Sequence, residues 1–186
     1  AEFPEIPGAH VRSLSAKTGQ GVAEWLDEIM AGELAAGSKL LDIDYTRYAQ
    51  AEAALTWLNC RTLVRLKTPL PPLMLLGSAL DNLCDRLLAA GIRIAHLKAI
   101  VESSTGYIKA SVCGNREEPS VEGTLDASPA GVHELVFNIR AVGDPGEIKR
   151  TLQAVLDDLP GAIDIRSLQC FRPAAPNPDV RLGMVI

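Results

Sequence analysis

Four stretches of this chain alternate apolar and polar residues with a period of two, and that alternation limits the possible folds more than any other feature. In "TWLNCRTLVRLKT" (56–68), Leu58, Cys60, Val64 and Leu66 share one face, while Asn59, Arg61, Arg65 and Lys67 share the other. The apolar set of "AHLKAIVE" (95–102) is Ala95, Leu97, Ala99 and Val101. In "YIKASVC" (107–113) it is Ile108, Ala110 and Val112, and in "HELVFNIRAV" (133–142) it is Leu135, Phe137, Ile139 and Ala141. Side chains on a strand point to opposite faces in turn, so each run predicts a strand buried on one side only. "AIDIRSLQCF" (162–171) reads as a further strand.

Two helices separate these runs. After the breaker "TPLPP", Leu76, Leu80, Leu83, Leu87 and Leu88 form a stripe that ends at Gly91, a C-terminal stop. "DPGEIKRTLQAVLDDL" carries a stronger helix signal. Asp144 is the cap, Pro145 the first helical residue, and Glu147 completes a capping-box pattern ahead of Ile148, Leu152, Val155, Leu156 and Leu159. The order is strand, helix, strand, strand, strand, helix, strand. It predicts an α+β fold, a mixed or antiparallel sheet with both helices on one face. The plan is near the ferredoxin-like one with one strand more, which alters which neighbours run parallel.

The turn "SSTG" sets the register of the central hairpin. Glu102 then opposes Tyr107, Ile100 opposes Lys109, Lys98 opposes Ser111, and His96 opposes Cys113. The same register matches Leu97 to Val112 and Val101 to Ile108, so both apolar faces agree. "GNREEPSVEGTLDASPAG" (114–131) reads as a long polar loop, in which Glu117, Glu118 and Glu122 are solvated carboxylates or part of a partner or metal site.

The first forty residues are organised differently. "HVRSLSA" (10–16) has strand character, Gly19 and Gly21 punctuate it, and Val22, Trp25, Leu26, Ile29 and Met30 then follow helical spacing. "AGELAAGSK" (31–39) reads as a linker. "DYTRYAQAEAAL" (44–55) reads as a short helix capped by Asp44. The expected division is residues 1–37, an α+β domain at 38–173, and a proline-rich tail at 174–186. Trp25, Tyr45, Tyr48 and Trp57 are expected at domain or helix–sheet contacts.

Composition narrows the functional classes. A net charge of −5 argues against a general nucleic-acid or membrane-surface binder. The longest apolar run, "LPPLMLLGSAL", is too short for a membrane span and carries prolines. Cys60, Cys84, Cys113 and Cys170 lie far apart with no Cys-x-x-Cys, which reads as reduced thiols in a cytoplasmic protein. The opening "AEFPEIPGAHV" starts in mid-pattern without Met, as a piece of a longer protein would.

In the order strand, Ser15-Ala16-Lys17, Thr18-Gly19, helix, the early segment resembles the last guanine-recognition motif of P-loop GTPases. A small residue there lets a backbone N–H reach the guanine carbonyl, and a lysine stem can cover the base edge while its head stays in water. Any strand-to-helix turn is the plainer reading. "DYTRYAQAEAALTWLN" and "HELVFNIRAVGDPGEIKRTLQAVLDDL" further resemble the C-terminal part of CobW-like GTPases of the CobW/UreG/HypB class.

That resemblance implies GTP and Mg²⁺ in the intact protein and an upstream GTPase domain. It also implies a role in GTP-dependent metal delivery or cobalamin-related metal insertion, with a client metalloprotein or metal-insertion partner. Ser15, Ala16 and Lys17 would contribute to the guanine pocket. The chain departs from the family in lacking a Gly-x-x-x-x-Gly-Lys-Ser/Thr phosphate loop, an Asn-Lys-x-Asp motif and a Cys-x-Cys-Cys metal motif. These residues alone are therefore expected to be inactive toward GTP. A structural or oligomerisation domain with no metal role is the alternative, since no nucleophile–base pair marks a stand-alone enzyme.

Of three histidines, His10 reads as a surface residue of the first strand and His133 as a partly buried structural one. His96 and Cys113, as cross-strand neighbours, could supply two ligands to Zn or Co. Lys98 beside them would repel a cation, and an ordinary polar sheet face is the competing reading.

Overall fold

The computed structural model describes residues 11–32, 44–115 and 117–174. His10, the linker beyond Gly32 and the tail from residue 175 lie outside them. The chain divides into two compact units, Ala1–Asp42 with Pro178–Ile186, and Ile43–Asn177.

In the first unit the helix α1 spans Val22–Ala31. It starts at the expected residue, but none of its residues is buried, and Trp25, Leu26, Ile29 and Met30 are all exposed. The strand expected at 10–16 is not formed among the described residues. A strand needs a neighbour to accept its ladder hydrogen bonds, and residues 11–15 have none.

The second unit begins with helix α2 (Tyr45–Ala53), whose cap Asp44 accepts hydrogen bonds from the Thr46 and Arg47 amides. Strand β1 (Thr56–Leu70), helix α3 (Pro72–Ala89), strands β2 (Arg93–Ser103), β3 (Gly106–Val112), β4 (Ser120–Gly123) and β5 (Ala130–Val142), helix α4 (Pro145–Asp157) and strand β6 (Ala162–Phe171) follow. The strands form one sheet in the order β4-β3-β2-β5-β1-β6, and every neighbouring pair is antiparallel.

Helix ends follow the chemistry of their sequences. α3 stops in a Schellman arrangement. Gly91 takes φ +69°, the Ile92 amide donates to the Leu87 carbonyl, and the Gly91 amide donates to the Leu88 carbonyl. At α4, Asp144 accepts from the Glu147 amide at 3.0 Å, but the reciprocal bond of a full capping box is not formed. Apolar residues of α3 and α4 and one face of the strands make a single core, with Leu58, Leu83, Leu87, Leu97, Phe137, Ile139, Ile148 and Leu152 fully buried. Leu88, expected in the stripe, is exposed; Leu75 and Ala79 are buried instead.

Three expectations about the sheet are corrected. Residues 114–131 are not one loop, because β4 lies within them and pairs with β3, Lys109 opposite Glu122. Ala95 is not inward. The ladder from β2 to β5 slips between Ile94 and His96, so Ala95 is a bulge residue and Ile94 takes the buried position. Of the four aromatics expected at domain or helix–sheet contacts, Trp25 and Tyr48 are exposed.

Candidate functional site

Two places carry polar chemistry that core packing does not use, one in each unit. The first is the turn at 15–21. The Ser15 amide donates to the Gln20 carbonyl at 3.0 Å, the Ser15 carbonyl accepts from the Gly19 amide at 2.8 Å, and Ser15 Oγ accepts from the Thr18 amide at 3.3 Å. Gly19 and Gly21 take φ values of +76° and +72°, where a side chain would be strained, and a Cβ on Gly21 would meet the Ser13 carbonyl at 3.0 Å. Ser15 is thus tied into the turn by three bonds. Ala16, exposed beside it, has a backbone N–H that donates to no acceptor among the described residues. Lys17 is exposed next in line. The turn thus presents one free backbone donor at its surface; a Gly-x-x-x-x-Gly-Lys-Ser/Thr phosphate loop is not in this sequence.

The second place is the face of the sheet opposite α3 and α4. Ladder pairing sets its residues in rows. Phe171, Trp57, Arg140 and His96 lie side by side across β6, β1, β5 and β2. In the next row Gln169, Asn59, Asn138, Lys98 and Ser111 do the same. The Arg140 guanidinium carbon sits 3.7 Å from the Trp57 ring centroid, a cation–π stack, and the Phe171 ring is tilted against Trp57 with centroids 6.2 Å apart. Trp57 therefore lies on the face opposite α3 and α4. Its Nε1 is buried without a hydrogen-bond partner. Burial pushes Arg140 below the usual arginine range, and the charge of Glu52 on α2 pulls it back. Beneath this row the Asn138 amide donates to Asn59 Oδ1.

The remaining expected site residues are placed as follows. The hairpin register is the expected one from Ser103↔Gly106 through Leu97↔Val112, but the ladder stops there. Cys113 lies in the bend beyond β3 and is exposed, while His96 is half-buried on β2. The pair is not formed because a side chain takes over the edge. Asn115 Oδ1 accepts from the Ile94 amide at 2.7 Å, and its Nδ2 donates to the Ile92 carbonyl at 2.6 Å. Among the described residues no group of three or more His, Cys, Asp or Glu side chains is placed to hold a metal ion. His133 is buried, with Nε2 2.8 Å from the Ala130 carbonyl and Nδ1 unpartnered. Glu117 and Glu118 are exposed, and Glu122 on β4 pairs with Lys109 at 3.5 Å. Sequence reasoning missed Arg140 over Trp57 and the Asn115 clamp. Period-two alternation places both Trp57 and Arg140 outward, but only the ladder register makes them neighbours.

Among the described residues no helix is long and apolar enough to cross a membrane. Comparison with protein-family models, with curated proteins and with solved structures found no match to this chain.

Proposed function

We propose that this chain is the C-terminal region of a CobW-like GTP-binding protein of the metallochaperone type. In this reading Ser15, Ala16 and Lys17 form one wall of the guanine pocket, and the sheet domain docks a client or reports nucleotide state. The observation that carries it is the Ala16 N–H, exposed and without an acceptor among the described residues, in a turn pinned by Ser15. That is the donor a guanine carbonyl requires, held so that no reorganisation is needed to present it. The uncovered stripe of α1 supports the reading, since a helix with Trp25, Leu26, Ile29 and Met30 on its surface suits packing on a sheet that an upstream GTPase domain supplies.

In a chain lengthened to include a phosphate loop, Ala16→Val obstructs the approach to that N–H. It is expected to weaken GTP binding about tenfold or more, the worth of one hydrogen bond to a buried polar group, with ATP binding unchanged. Equal loss for both nucleotides, or none, would remove the guanine assignment. Zn or Co is not assigned to His96 and Cys113, because their pairing is not formed and Lys98 and Arg140 flank His96.

A second reading, an oligomerisation domain with no metal role, rests on β6. It is a ten-residue edge strand whose outer backbone groups face no strand among the described residues.

A further inference from the structure

The face opposite α3 and α4 has one corner where an imidazole, a guanidinium and an ammonium group come together. His96 and Arg140 are directly paired across β2 and β5, and Lys98 lies two residues along β2 from His96, opposite Asn138. Directly opposed side chains on an antiparallel pair start about 4.5–5.5 Å apart, and alternate residues on one strand about 6.6 Å apart. None of the three forms an ion pair among the described residues, whereas Arg61, Lys109 and Arg166 on the same sheet each have a carboxylate partner.

The chain has 23 acidic residues against 18 Lys and Arg, so acids to neutralise this corner are not scarce. Like charges set side by side on a sheet destabilise it. Among the described residues Arg140 has a single carboxylate near it, Glu52, which makes no salt bridge there. Arg140 stacks one guanidinium face on Trp57 and donates from Nη1 to the Ile139 carbonyl at 3.5 Å, which leaves its other in-plane N–H groups for another acceptor. Asn59, whose Oδ1 is occupied by Asn138, adds an amide donor to the same corner.

We infer that this corner docks an acidic segment of a partner protein, laid in extended form along β2 with carboxylates at alternate positions against Arg140, His96 and Lys98. The inference rests on the reading of the sheet domain as a docking module and names the chemistry of its partner. A strand-like peptide with acids at every second residue repeats at the same spacing as His96 and Lys98, so two carboxylates meet two donors without distortion. A nucleic-acid strand fits less well. Further along the face Glu102 and Glu134 oppose each other across β2 and β5; Arg61 pairs with Glu134, but Glu102 has no ion-pair partner among the described residues and would repel a continuous polyanion.

The test is an amide and indole NMR titration of the chain with a capped peptide of alternating threonine and glutamate. Inorganic phosphate and an oligothymidylate serve as the other probes. The peptide is expected to shift the Trp57 indole N–H and the amides around His96, Lys98 and Arg140 at sub-millimolar concentration. Lys98→Glu should weaken it about tenfold and Arg140→Gln about fivefold, while Lys149→Glu on α4 changes it less than about twofold at the same net charge.

Equal loss with Lys149→Glu, or no shift at about 5 mM peptide, overturns the inference. Tighter binding of the oligothymidylate, or phosphate alone giving the full shifts, also overturns it, in favour of a polyanion or a small-anion site. Guanine-nucleotide affinity of the lengthened chain is measured on the same Lys98→Glu variant and is expected to be unchanged. Failure of the docking site and failure of the guanine reading are therefore seen separately.

Discussion

Single side chains in this molecule do work that backbone usually does. Asn115 both donates and accepts at the edge of β2, beyond the point where its ladder with β3 ends. Asn115→Ala strands the Ile94 amide and the Ile92 carbonyl, so urea unfolding should show a loss of about 1–3 kcal/mol, with faster exchange of the Ile94 amide. No periodicity rule reveals such a clamp, because it depends on a turn that brings residue 115 back to residues 92–94.

The cysteines make a second case. Burial pushes the Cys60 thiol from 9.0 up to about 11, and burial also raises Cys84 and Cys170. Cys113 is exposed. Alkylation near neutral pH, followed by mass spectrometry, should label Cys113 first and Cys60 last. The sign of the linkage follows from the raised folded-state value. The neutral thiol's contribution is full below about pH 9 and is lost as pH rises toward about 11. Stability should fall across that window, and less steeply in Cys60→Ala.

At the scale of elements, strand parity decides the topology. Sequence reading finds three strands between the two main helices, and an odd number there would turn the last of them parallel to a neighbour. The structure has four, β2 to β5, because Ser120–Gly123 forms β4 inside the expected loop. Two strands added to the β-α-β-β-α-β plan restore its parity. The order β2-β5-β1-β6 is then the ferredoxin-like one, with the β3–β4 pair attached at the β2 edge. β4 escaped notice because all four of its residues are exposed, so no alternation of burial is written into it. By contrast β1, β2, β3 and β5 are buried on one face, and their alternation and the hairpin register were readable from the sequence. The position of β4 can be tested at Gly123, which takes φ +127° and whose Cβ would fall 2.3 Å from the Tyr107 carbonyl. Gly123→Ala cannot keep that approach, so β4 should detach. Its amides should lose protection at a cost of about 1–3 kcal/mol, while α3 and α4 stay protected.

The whole molecule separates what folds from what is used. Every residue of the core cluster lies between Leu58 and Leu159, with Ile163, Leu168 and Cys170 packed against it, and all belong to the unit Ile43–Asn177. The polar chemistry is divided otherwise, with the Ser15–Gly21 turn in the first unit and the cationic corner in the second. This division explains which parts of the site were readable. The turn is a contiguous stretch, Ser15 to Gly21, and a local motif survives in sequence whatever surrounds it. The corner takes Trp57, His96, Lys98 and Arg140 from three strands, and only a correct ladder joins them. A chain of residues 43–177 alone removes no core side chain. It should therefore unfold in one cooperative transition, with a midpoint within a few degrees of the 186-residue chain, since a few degrees corresponds to about 1 kcal/mol at this size. It should also keep the Trp57 indole shift produced by the alternating acidic peptide, which depends on the second unit only. A broad, non-cooperative melt would mean that the first unit contributes to the core. A cooperative melt without peptide binding would mean that the docking surface extends beyond the sheet.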